Sequence, residues 1–132
     1  MQFALYSNLH TLLYGLPMRD MALQAAGLLA IFVAITHGAI AELKVFPRAR
    51  IGSRPTATLL RMVWQASTIS WVGIGMLLIA APTFEDLARE WIAAIAIVVY
   101  GYAAIGNATV TRLRHIGWLL MTTVVGLSLV GF

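Results

Sequence analysis

Apolar residues run together in four long blocks, each bounded by charge or proline. A bilayer core of about 30 Å needs roughly 20 apolar residues at about 1.5 Å rise each. The first block, residues 21–43, lies between Arg19-Asp20 and Lys44 with Pro47. The second, residues 59–81, is opened by Pro55 and closed by Pro82, as helix punctuation predicts. The third covers residues 91–107. Its predicted start lies upstream, where Thr83 and Asp86 have capping-box spacing with Asp in place of Glu. The fourth, residues 115–132, is only just long enough.

Residues 1–17 interleave Phe3, Leu5, Tyr6, Leu9, Leu12 and Leu13 with Asn8, His10 and Thr11. They have no basic n-region and no small-residue cleavage site, so they read as a short helix lying in the outer interface and not as a leader. The predicted fold class is therefore all-α: one integral membrane four-helix bundle with a short N-terminal interfacial helix.

Composition strengthens this reading. The chain of 132 residues is 61% hydrophobic and 11% charged, against about 45–50% and about 25% for soluble domains. The net charge of +4 could suggest nucleic acid. However, Lys44, Arg48, Arg50, Arg54 and Arg61 crowd one stretch between apolar blocks, as in a cytoplasmic membrane loop, so no nucleic-acid partner is expected. With four spans, that loop and Arg112 with Arg114 share a side, while Arg19 and Arg89 face the other. This asymmetry predicts both basic loops in the cytoplasm and both termini outside.

There are no cysteines, so disulfides, thiolate metal sites and thiol catalysis are excluded. Lipid gives no hydrophobic drive for helix association, so small residues carry the packing. Ala22, Ala26, Ala30, Ala34 and Gly38 recur every four residues and lead to Glu42. This stripe drifts about 40° per step on a 3.6-residue helix and would wrap around its partner. Gly73, Gly75, Gly101, Ala94, Ala103 and Ala104 suggest similarly close surfaces on the other helices. The expected partners are the lipid bilayer and either further copies of the chain or a larger membrane complex.

Ionisable groups inside spans are costly, so each calls for a partner, a cavity or a function. Glu42 is the only carboxylate inside a predicted span. His37 precedes it by five residues, about 140° around a regular helix, so the two alone make no metal clamp. Arg61, Gln65 and Thr68 share one face of the second helix, and His115, Trp118 and Thr122 share a face of the fourth. The sharper expectation is a polar pocket, open to the cytoplasm, built on Glu42 and His37 and answered by Arg61, Gln65 and His115. The plainer one pairs Glu42 with Arg61 or Lys44, lets His37 donate to a carbonyl, and leaves His115 capping the fourth helix.

Trp91 and Trp118 fall where an aromatic belt belongs. Trp64 and Trp71 lie seven residues apart on one face, as packing residues or as the wall of a pocket for a lipid, quinone or aromatic compound. A bis-histidine haem needs two imidazoles at one depth, and His37 lies about 9 Å deeper than the end where His115 begins, at about 1.5 Å per residue. No Ser-His-Asp arrangement, P-loop or metalloprotease motif is visible. No cofactor is assigned by these residues.

The run His37-x4-Glu42, a basic loop, and then Arg61-x2-Trp64-Gln65-x-Ser67-x3-Trp71-x-Gly73 resembles a group of small bacterial integral membrane proteins. These proteins carry His-x3-Gly-Glu at the end of the first helix and Trp-His-x-Thr/Ser-Ser-x2-Trp in the second. Arg114-His115-Ile116-Gly117-Trp118 is similar to their approach to the last helix. Ala41 and Gln65 stand here where the group has Gly and His, so a titratable pocket group is missing. The resemblance implies a four-helix fold in a bacterial inner membrane and implies no activity. The function expected is that of a non-enzymatic oligomer or accessory subunit. The alternatives are a proton-coupled transporter or conducting oligomer using Glu42 and His37, and a membrane enzyme or redox subunit acting on a lipid or quinone.

Overall fold

The computed structural model describes the backbone of residues 2–49 and 52–132, with side chains from Met18 onward. The described residues form four α-helices and no strand: α1 (Gln2–Ile40), α2 (Arg54–Ala80), α3 (Asp86–Thr111) and α4 (Gly117–Gly131). Met18–Val45, Arg54–Thr83 and Asp86–Thr111 are long and apolar enough to cross a membrane. The fourth helix is apolar but has 15 residues, about 22 Å at 1.5 Å each, which is short of a full span.

The expected N-terminal helix is not set apart from the first span. Pro17 removes one backbone donor, yet α1 runs through it unbroken. The side chains of residues 1–17, on which interfacial placement depends, lie outside those described.

Helix α2 starts where Ser53 accepts a hydrogen bond from the Thr56 amide at 3.3 Å, with Pro55 in the first turn, where its missing donor costs nothing. It ends in a 3₁₀ turn, Ala81–Thr83, that contains Pro82. The capping box expected ahead of α3 does not form. Glu85 occupies the N-cap position without a side-chain bond, and the Thr83 hydroxyl turns back to donate to the Ala80 carbonyl at 2.7 Å. Thr83 sits in the 3₁₀ turn, where that carbonyl is the nearer partner.

Helix α1 is the hub, packing on α2 to one side and α4 to the other, while α3 packs chiefly on α4. The shared core is made largely of small residues, including Ala26, Ala30, Ala93 and Ala96, together with Leu23, Leu78, Val124 and the fully buried Tyr100. The alanine stripe of α1 is buried as its spacing predicts, but it changes partner along its length. At Ala30 it meets α3, where the Tyr100 hydroxyl lies 3.2 Å from the Ala30 carbonyl. By Gly38 it faces Thr68 of α2. A drift of about 40° per step accounts for this rotation from one neighbour to the next.

The closest approach of α1 to α2 uses a residue outside that stripe. A Cβ on Gly27 would lie 2.5 Å from the Gly75 carbonyl oxygen, and one on Gly75 would lie 2.6 Å from Ile31. Backbone therefore meets backbone here, and any side chain would push the helices apart. Gly73 and Gly101, by contrast, have nothing within 4 Å of where a Cβ would sit.

Candidate functional site

The end of the bundle at which α1 finishes carries Lys44, Arg48, Arg54, Arg61, Arg112 and Arg114, and is called here the basic end. There α1 passes into a π-helical turn, Ala41–Val45, in which the Phe46 amide donates to the Ala41 carbonyl at 2.9 Å. The wide turn advances each residue by less than the roughly 100° of an α-helix. Glu42 lies inside it and is carried round toward α2, onto the side where Gly38 already meets Thr68.

One face of α2 answers it. The Gln65 amide donates to Glu42 Oε1 at 2.8 Å, and Arg61 Nε lies 3.2 Å from Glu42 Oε2. Both carboxylate oxygens are thus engaged. The Arg61 guanidinium also sits 5.3 Å from the centre of the Phe46 ring, in cation–π range.

His37 is placed differently. Its ring lies between two indoles, stacked on Trp64 at 4.6 Å and tilted against Trp71 at 4.7 Å. Seven residues separate the tryptophans, about 10.5 Å along the helix at 1.5 Å each, and the imidazole fills that interval. The faces that Trp64 and Trp71 turn toward each other are therefore occupied by His37. Phe46 meets Trp64 edge-on at 5.8 Å, and Tyr100 lies 5.3 Å from Trp71. A column of five rings thus leads from the basic end into the core, each contact worth about 0.5–1.5 kcal/mol beyond burial. The Tyr100 hydroxyl is within 3.3 Å of the Trp71 carbonyl, so it ties α3 to α2 as well as to α1.

His37, Glu42, Arg61, Trp64, Gln65 and Trp71 are thus brought together on the α1–α2 seam. His115 and Trp118 are not. His115 is exposed at the start of α4, its Nδ1 accepting from the Gly117 amide at 3.0 Å. Trp118 donates to the Leu113 carbonyl at 3.2 Å, steadying a reversal in which Arg112 and Leu113 both take positive φ. The polar cluster expected to include His115 is instead confined to α1, the wide turn and α2. Similar depth on the fourth helix does not place a side chain on the same side of the bundle.

Beyond Arg61 a cavity of about 370 Å³ opens between the chain after the wide turn and the first two turns of α2. Phe46 and Ala49 form one wall, and Arg54, Ala57, Thr58 and Arg61 form the other. Phe46 and Thr58 were not singled out from the sequence, and Arg54 only as one charge of the basic loop, although Arg54, Thr58 and Arg61 have the spacing of one helical face. Among the described residues no group of three or more His, Cys, Asp or Glu is placed to hold a metal.

The opposite end holds a second ion pair that the sequence reading did not connect. Arg89 Nη1 lies 2.7 Å from Asp20 Oδ1, and the Arg89 side chain is only 8% exposed. Its Nε and Nη2 are buried without a hydrogen-bond partner, and the Asp20 contact is one of charge proximity without hydrogen-bond alignment. Arg19 nearby donates to the Phe132 carbonyl.

Compared with protein-family models, curated proteins and solved structures, the chain matches none of them.

Proposed function

We propose that this chain is a small polytopic protein of a bacterial inner membrane that catalyses no reaction. On this reading it works as an oligomer or as an accessory subunit of a larger membrane complex, with its termini outside and its basic end in the cytoplasm. The observation that carries the non-catalytic part is the engagement of Glu42, whose two oxygens are held by Gln65 and Arg61. A carboxylate so held is a clasp between helices, not a free base or ligand. Assembly is supported by glycines that no described residue covers. Gly73, Gly101, Gly106 and Gly126 have open space where a Cβ would stand, and close helix approach in lipid favours such positions.

Size and composition of the particle in mild detergent test this reading. Multiples of the chain mass, or a stoichiometric membrane partner, are expected; a monodisperse monomer with no companion protein refutes the assembly role. The competing reading, a proton-coupled transporter or conducting oligomer, draws on the partial exposure of Glu42 beside Arg61. It requires Glu42 and His37 to act in sequence, yet His37 contacts indoles while Glu42 contacts Gln65 and Arg61. In proteoliposomes, Glu42→Gln should leave any ion flux unchanged; loss of flux with an intact fold would favour the transporter.

A further inference from the structure

The cavity at the basic end has a chemistry that the Glu42 clasp does not use. Two of its lining residues are arginines, Arg54 and Arg61, one helical face apart by seven residues on α2. Arg61 meets Glu42 through Nε, and its side chain is 55% exposed. Arg54 makes no ion pair among the described residues. The amides of the first turn of α2 add the positive end of a helix dipole.

Every carboxylate that could neutralise this charge is accounted for. Glu42 is engaged by Arg61 and Gln65. Asp20 pairs with Arg89 at the far end, and Glu85, Asp86 and Glu90 lie around the start of α3 there. Lys44 and Arg48, both exposed, flank Phe46 in the same stretch of chain. The opposite wall is apolar, made by the Phe46 ring and Ala49. A cationic wall facing an apolar one suits a molecule with an anionic head and a hydrocarbon body.

We propose that this cavity binds the phosphate headgroup of an anionic phospholipid from the cytoplasmic leaflet. Arg54 and Arg61 take the phosphate oxygens, since guanidinium groups match phosphate geometry, and Phe46 lies against the glycerol and upper acyl chain. The inference rests on the membrane reading above, and its test separates the two.

The purified, delipidated protein is mixed with vesicles of phosphatidylcholine, with and without phosphatidylglycerol, and bound lipid is counted by native mass spectrometry. Saturable retention of phosphatidylglycerol over phosphatidylcholine is expected. Arg54→Ala should weaken it about tenfold, the scale of one charge-assisted phosphate contact. Arg114→Ala, a charge removed from the same end but off the cavity, should change it by less than about twofold. Equal losses in the two variants would reduce the effect to general surface charge and overturn the site. Full displacement of the lipid by inorganic phosphate would also overturn the lipid assignment. Failure of the protein to enter phosphatidylcholine vesicles would overturn the membrane reading itself, whereas entry without lipid preference overturns the cavity alone.

Discussion

At each end of the bundle a carboxylate, Asp20 of α1 or Glu42 of the wide turn after it, meets an arginine, and the two pairs differ in how completely they are satisfied. At the basic end Arg61 is 55% and Glu42 39% exposed, and Gln65 completes the carboxylate. At the far end Arg89 is 8% and Asp20 36% exposed, their contact is shorter at 2.7 Å, and two of the arginine's nitrogens lack partners. An exposed pair contributes little because water and salt compete for both charges. A buried arginine has lost that competition, so Arg89 depends on Asp20, and removal of the carboxylate leaves a stranded charge. The shorter, poorer pair should therefore be the harder one to disturb.

The largest effect is expected from Asp20→Ala, which strands the buried Arg89 and should cost about 3 kcal/mol in unfolding measurements in detergent. Replacing both partners, as Arg89→Met with Asp20→Leu, should recover most of that loss, since an apolar pair avoids desolvating charge. A double variant as unstable as the single one would show that the pair itself, and not the orphaned charge, carries the stability. Next in size is Gln65→Leu, which takes one of the two partners from Glu42 and should cost about 1–2 kcal/mol, visible as a lowered Tm.

Tyr100→Phe lies between the two ends and removes one hydroxyl that reaches two carbonyls. About 1 kcal/mol is expected, with the ring column left in place and near-ultraviolet dichroism little changed. The smallest effect should come from Arg61→Ala. A loss under about 1 kcal/mol, vanishing at high salt, is consistent with a half-exposed pair. A salt-independent loss as large as that of Asp20→Ala would erase the contrast between the two ends.

Long apolar blocks and their prolines made α2 and α3 legible from the sequence, because a helix that long needs little tertiary context to be recognised. The shared face of Arg61, Gln65 and Thr68 was legible for the same reason: spacing of three and four residues fixes azimuth within one helix. Azimuth between helices is not written that way. His115 has a suitable depth, yet the α3–α4 reversal points it into the open, where it serves its own helix start. Asp20 and Arg89 were read as ordinary charges flanking spans, since nothing local says that two parallel helices set them side by side. Tyr100 sits in an apolar run and gives no sign that its hydroxyl joins three helices.

The wide turn at Ala41–Val45 holds, in effect, one residue more than a regular helix would spend on the same rise. The chain thus stores an angle as a length. Deleting a single residue there, such as Leu43, would let α1 close into an ordinary helix with the Phe46 amide still bonded to the Ala41 carbonyl, so Phe46 would keep its place. Glu42, inside the turn, would keep its chemistry and lose its bearing toward Gln65 and Arg61. Deletion of one residue would then undo the Glu42 clasp and leave the contacts of Phe46 with Arg61 and Trp64 standing.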